Sequence, residues 1–269
     1  MSLQQDIKNK LALIFGNTYK KIGYSIIDIR KIKALDSNNL NSYLFYGNKI
    51  YFKNPVELLH NLSEIFIHEI YKINLPLKSL IIDCGSNIGV SVLYFKKNFP
   101  ESTVIAFEPD NHNFEILSLN VASYKLKGVE LNNTAVWIED TYLNFSNDNS
   151  MSSKIENDNK SPSNSKVKAI RLYDLITQQV DLLKIDIEGA EYKILVDIES
   201  KLHLIRNIFF EYHGNFAQIH ELTNIFTILN NNGFKYYIKE ATEVYRHPFL
   251  RTEKNLAYDI QLNIFCFRG

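Results

Sequence analysis

Apolar and polar positions change their rhythm near residue 79. Upstream, "DIKNKLALIF" has helical spacing, while "GYSIIDIRKI" and "NSYLFYGNKIYF" carry β-formers at short range, with Gly47-Asn48 as the expected turn between strands. "NPVELLHNLSEIFIHEIYKI" predicts a helix. Asn54 is its N-cap, Pro55 fits its first turn, and Leu58, Leu62, Ile65, Phe66 and Glu69 recur at helical spacing. From residue 79 short apolar runs alternate with amphipathic ones. "SLIIDCG", "STVIAFEP", "VELNNTAVW", "VDLLKIDIEG" and "IRNIFFEYH" read as buried strands, because parallel strands are apolar on both faces. "GVSVLYFKKNF", "NHNFEILSLNVASYKL", "AEYKILVDIES" and "NFAQIHELTNIFTILNNN" read as the helices between and after them, the last ending at Gly233.

Repeated strand–helix–strand units with short links imply a mostly parallel sheet with helices on both faces. "FKYYIKE" and "DIQLNIFCF" add a sixth and a seventh strand. The run between them lacks helical periodicity, so a terminal antiparallel hairpin is expected. The expected organisation is an N-terminal α+β cap over residues 1–78 and a Rossmann-like α/β domain over 79–269. Within the latter, 13 of the 23 residues from Asn144 to Lys166 are Ser or Asn. Such a run buries too little to order itself, so it is read as a mobile loop between the strands "TYLNF" and "KVKAIRLYDLI".

Ligands of such sheets bind outside the carboxyl ends of the strands. "DCGSNIG" lies there. Gly85 permits a sharp turn and close approach of a ligand, Ser86 and Asn87 span the turn, and Gly89 lets the helix pack close to the strand. A nicotinamide site prefers G-x-G-x-x-G, and no Gly-Lys-Ser/Thr of a phosphate loop follows. Asp83, two residues before Gly85, is badly placed beside a pyrophosphate and suits the ammonium group of a ligand such as S-adenosylmethionine. Glu108 ends the second strand 23 residues after Gly85, near the offset at which a carboxylate takes ribose hydroxyls, and Pro109 stops that strand. Asn133, Thr134 and Ala135, at the third strand, are placed where an adenine rests. Singly, each piece reads equally well as a tight turn or a strand terminus. Together they favour a nucleoside site.

Further acids mark the fourth and fifth strands. Asp186, Glu188 and Glu191 follow one, and Glu211 and His213 end the other. Neighbouring strands lie about 4.8 Å apart, so these groups converge if the two strands pair. Asp186, Glu211 or His213 is read as a base for a hydroxyl acceptor. Glu188 and Glu191 are placed against the acceptor, with complementing the next helix N-terminus as the competing role. A Mg²⁺ site from Asp186 and Glu211 ranks below a metal-free one, since no third oxygen ligand is evident. The other histidines read as surface or packing residues, with His247 a weak candidate for the acceptor cleft.

Composition narrows this little. Lys plus Arg and Asp plus Glu are 30 each, so the chain lacks the basic excess of a general nucleic-acid binder. Two cysteines make no disulfide framework, and Cys84 and Cys266 lie in apolar runs as expected buried thiols. No signal peptide and no apolar stretch of membrane-spanning length is evident, so a cytoplasmic protein without stable membrane insertion is expected. The first 78 residues are read as a cap or as the surface of a homodimer.

"IIDCGSNIGVSVLYF", "VIAFEPD", "LLKIDIEGAEYKIL" and "IFFEYH" together resemble the FkbM-type methyltransferases, over roughly residues 79–240. The resemblance implies a Rossmann-like class I methyltransferase fold, with S-adenosylmethionine as cofactor. It also implies O-methylation of a hydroxyl, often on a sugar or a polyketide, by in-line displacement. Asp83, Gly85, Asn87 and Gly89 match the family's cofactor loop, Glu108 its ribose-binding acid, and Asp186, Glu188 and Glu191 its signature segment. Two departures stand out. Tyr173 replaces an acid in "RLYDLI", and the Ser/Asn-rich run is longer than usual. A nicotinamide oxidoreductase and a non-catalytic cofactor- or glycan-binding scaffold are the alternatives carried forward.

Overall fold

The computed structural model describes residues 18–146, 154–156, 165–254 and 256–268. They divide into two compact units. One runs to Ile73 and takes in Ala122–Tyr124; the other holds Asn74–Val121 and the chain from Lys125 onward. The helix expected in "DIKNKLALIF" lies outside the described residues.

In the first unit a 3-10 turn precedes helix α1 (Ile26–Lys33), where β-formers suggested a strand. A capping box overrides their propensity. The Asp28 amide donates to Ser25 Oγ at 3.2 Å, and the Ser25 amide donates to Asp28 Oδ2 at 2.7 Å. Strands β1 (Asn41–Phe45) and β2 (Asn48–Phe52) form the expected hairpin. Its turn is Tyr46-Gly47, one residue earlier than expected, with both φ values positive as a two-residue type I′ turn requires. Helix α2 (Pro55–Leu62) starts as predicted, with Asn54 Oδ1 accepting from the Val56 amide at 2.9 Å. It loosens into a π turn over Ser63–Ile67, short of the expected end. Ile32, Phe45, Ile50, Phe52, Leu58 and Leu62 form the core of this unit.

The second unit begins β3 (Leu80–Cys84), α3 (Val90–Asn98), β4 (Thr103–Phe107), α4 (Asn111–Ser123, whose last two residues group with the first unit) and β5 (Val129–Asn132). Three further strands follow, β6 (Ala135–Trp137), β7 (Thr141–Ser146) and β8 (Lys154–Glu156). Next come β9 (Ser165–Arg171), α5 (Leu172–Leu175), β10 (Leu182–Ile185), α6 (Glu191–Asp197) and β11 (Asn207–Gly214). Helix α7 (Ile219–Asn231), β12 (Lys235–Glu240) and β13 (Ile260–Phe267) close the chain. The main sheet has seven strands in the order β12-β13-β11-β10-β3-β4-β5. Within it β5, β4, β3, β10 and β11 are parallel, and β13 runs antiparallel between β11 and β12, as the terminal hairpin predicted. Among the described residues no helix is long and apolar enough to cross a membrane.

Strand alternation places the site. Ile82 and Cys84, Leu183 and Ile185, and Ile208, Phe210 and Tyr212 turn one way into a core with α6 and α7. The residues between them, Asp83, Lys184, Glu211 and His213, therefore share the opposite face.

Two strand predictions need correction. "VELNNTAVW" is not one strand. It breaks after Asn132, and β6 joins a separate four-stranded sheet, β6-β9-β7-β8, by pairing in parallel with β9. "KVKAIRLYDLI" leaves the extended conformation after Arg171, where α5 begins. Of the run read as a mobile loop, Lys154–Glu156 pairs antiparallel with β7, and 147–153 and 157–164 lie outside the described residues.

Candidate functional site

The carboxyl ends of β3, β4 and β5 are level, with Cys84 opposite Phe107 and Phe107 opposite Asn132. After Cys84 the backbone folds back at once. The amides of Gly85 and Ser86 both donate to Phe107 O, at 3.0 and 2.9 Å. Gly85 has φ +83°, and a Cβ there would lie 1.8 Å from the backbone oxygen of Asp186, so the turn is pressed against the exit of β10. At Gly89 a Cβ would meet Leu117 Cδ1 at 2.4 Å, so the bare backbone there makes room for α4 rather than for the strand the sequence suggested. Asn87, itself left-handed at φ +47°, uses Oδ1 to accept from the Ile88 amide at 2.6 Å.

Glu108 sits under this turn. Its Oε2 accepts from the Asn87 amide at 2.8 Å and its Oε1 from the Asp110 amide at 2.9 Å, so it orders both the loop and the start of α4. Burial pushes its carboxyl up to about 7, against the opposing pull of those two amides. Pro109 follows the end of β4 as expected. Asn133 and Thr134 are half-buried at the end of β5, and Ala135 is buried in β6. Thr134 Oγ1 is buried with no hydrogen-bond partner, an orphan polar atom where an adenine was placed.

Asp83 is where the structure departs most from expectation. It is fully buried, its Oδ2 accepts from Ser91 Oγ at 2.6 Å, and Lys184 Nζ lies 3.1 Å from its Oδ1. Buried at 0% exposure between Ser91 and Lys184, it holds the turn from below rather than facing the rim. Lys184, not singled out in the sequence, is the link. Its Nζ donates to Gly85 O at 2.7 Å and lies 3.5 Å from Asp186 Oδ2, with the side chain 2% exposed. A lysine inside an apolar run was the available signal, because buried lysines are almost always paired.

Strands β10 and β11 do pair, and the acids converge. Asp186 leaves β10 half-buried. Glu188 and Gly189 then turn left-handed, at φ +57° and +95°. Glu191, 1% exposed, accepts from the Ile187 and Gly189 amides and lies 3.2 Å from His213 Nδ1. It reaches no acceptor; it closes the loop at the start of α6 and anchors the histidine. His213 Nε2 lies 3.3 Å from Glu211 and 3.5 Å from Glu188. Burial would lower its pKa, but its hydrogen bonds to Glu191 and Glu211 and the surrounding charge outweigh that and raise it to about 12. It stands as an imidazolium rather than the base the sequence suggested. Glu188 is pushed up to about 7, mainly by burial. Tyr258, from the irregular run before β13, donates to Glu188 O at 2.9 Å and packs 4.9 Å from the His213 ring. Its position there left no sequence signal.

The family described as "Methyltransferase FkbM domain" matches residues 83–236, which include every acid of this rim. "Methyltransferase 1" of Beauveria bassiana (strain ARSEF 2860) is 29% identical over 212 residues, 68% of this chain and 82% of its own length. The crystal structure of methyltransferase FkbM from Methylobacillus flagellatus KT superposes at a TM-score of 0.49 and 14% identity, covering 78% of this chain and 54% of that one. M. jannaschii TYW2 in complex with AdoMet gives 0.48 at 12% identity, covering 88% and 89%. A family match across both halves of the rim, on a sheet of this order, places the chain in the FkbM methyltransferase family and makes it an S-adenosylmethionine-dependent methyltransferase.

Proposed function

We propose that the chain methylates a hydroxyl oxygen of a sugar, a polysaccharide or a related natural product. The observation that carries this reading is the pair Asp186 and Glu211. Their side chains are 30% and 23% exposed at the mouth of β10 and β11, and Asp186 abuts the Gly85 turn. The remaining groups fit the cofactor. Glu108 uses one lone pair on each oxygen for the loop and keeps others for ribose hydroxyls. Thr134 Oγ1 offers its unused capacity beside the adenine position. When bound, S-adenosylmethionine supplies an already activated methyl group. The chain's own work is to align an acceptor oxygen and take its proton. Asp186 holds the hydroxyl and receives that proton. Lys184 fixes Asp186, and the His213 imidazolium fixes Glu211 and Glu188.

Asp186→Asn keeps the shape and removes the base. Single-turnover methyl transfer, screened against saccharides and lipid-linked glycans, should fall roughly 10²–10⁴-fold while the cofactor Kd changes little. A variant with unaltered single-turnover rate would refute the assignment.

Glu108 predicts a pH dependence of cofactor binding. A carboxylate accepts ribose hydroxyls better than a carboxylic acid does, and this group changes state near pH 7. Calorimetry should show affinity rising about tenfold from pH 6 to pH 8 as the ionised share grows. Glu108→Gln should flatten that profile. Stability moves the other way. The folded state keeps this proton above the unfolded value of 4.5, so the Glu108 contribution is fully present below that pH and is lost as pH rises through about 7.

A further inference from the structure

We infer that Asp186, Glu211 and His213 form a binding site for a divalent cation of the Mn²⁺ type at the mouth of β10 and β11. Each residue offers one ligand atom, and the three atoms lie within 4.8 Å of one another. His213 Nε2 and Glu211 Oε1 are 3.3 Å apart, close to the edge of about 3 Å between neighbouring ligands of an octahedral ion with bonds near 2.1 Å.

Two features outside the triad support the ion. Glu191, nearly fully buried, engages Nδ1 and leaves Nε2 facing Glu211, the carboxylate–imidazole arrangement that orients a metal-bound histidine. Asn263 stands directly opposite Glu211 in the β11–β13 register, so the two side chains share a face. It is 3% exposed, and its Oδ1 is buried with no hydrogen-bond partner. An orphan amide oxygen beside a carboxylate is a hard donor awaiting a cation.

Charge points the same way. Among the described residues, the cations paired with Asp186, Glu188, Glu191 and Glu211 are Lys184 and His213. One imidazole among oxygen donors suits Mn²⁺ better than the all-oxygen preference of Mg²⁺ or Ca²⁺. The ion's role rests on the acceptor reading above: held by one oxygen of each carboxylate, it would receive an acceptor hydroxyl and stabilise its ionised form. Binding of the ion does not depend on that reading.

The full chain, stripped with EDTA and free of cofactor and acceptor, would be titrated with MnCl₂ and followed by the EPR signal of free Mn²⁺. One saturable equivalent is expected. Glu211→Gln should weaken it at least tenfold, and Glu191→Gln by roughly 10–100-fold through the oriented imidazole. Pulsed EPR of the unmodified protein needs no variant to fold, and should show ¹⁴N coupling from a directly bound imidazole. No saturable uptake at millimolar Mn²⁺, or bound Mn²⁺ without ¹⁴N coupling, would overturn the site. Because methyl transfer is not the readout, failure here leaves the acceptor reading intact, and an enzyme inactive on every glycan can still bind the ion.

Discussion

Lys184→Met should destabilise the protein by about 3–5 kcal/mol, the usual result of removing one member of a buried ion pair. Asp83 is fully buried, and Ser91 Oγ would be left as the neighbour of an unneutralised carboxylate. The carbonyl of Gly85 would lose its donor in the same substitution. Denaturant titration measures the loss. The double variant Asp83→Asn/Lys184→Met separates the two causes. If the buried charge dominates, the second substitution should recover most of the stability, since an apolar or neutral pair often replaces a buried ion pair at little net loss. If the Gly85 carbonyl dominates, no recovery follows. Cofactor affinity gives an independent readout, because the double variant still lacks the bond that fixes the turn. A single variant as stable as the parent would remove Lys184 from the account of how the loop is held.

The parallel strands and the rim are readable for a definite reason. Continuous apolar runs ending in Asp83, Glu108, Asp186 and Glu211 announce parallel strands and their carboxyl ends together, while the β10–β11 pairing that brings the acids together is a condition only the structure meets. What was not readable depends on partners distant in sequence. Nothing local to Asp83 says that a lysine 101 positions later neutralises it, so the sequence alone points it at a ligand. Glu191 fits both a helix start and an acceptor contact on sequence alone, and its burial against His213 is visible only in the fold. The three acidic neighbours of His213 arrive from two segments, so its environment is not legible from the strand that carries it. The α1 error has a local origin. "SIID" holds both a capping box and β-branched residues, and the cap prevailed over propensity, which is a weak prior. The break after Asn132 coincides with the polar run Asn132-Asn133-Thr134, which the reading as one strand passed over.

Gly85→Ala should be the most damaging conservative substitution in the turn, for two additive reasons. A left-handed φ of +83° costs an L-residue roughly 1–2 kcal/mol by itself. The added Cβ would also stand 1.8 Å from Asp186 O, which is backbone and cannot swing aside. Either the turn lifts off β10 or the exit of β10 moves, and the second displaces Asp186 from the acceptor position. Gly233→Ala is the matched control. Its φ is +76°, and its nearest neighbour would be the flexible Arg268 guanidinium at 3.7 Å, so only the backbone term applies. Denaturation should place Gly233→Ala near 1–2 kcal/mol of lost stability and Gly85→Ala beyond it by about 2 kcal/mol or more, the range of core overpacking. Cofactor affinity and methyl transfer should fall together in Gly85→Ala and stay near the parent in Gly233→Ala. Equal losses in the two variants would mean that the close approach of the turn to β10 contributes nothing, and that the glycine is required for its dihedral angle alone.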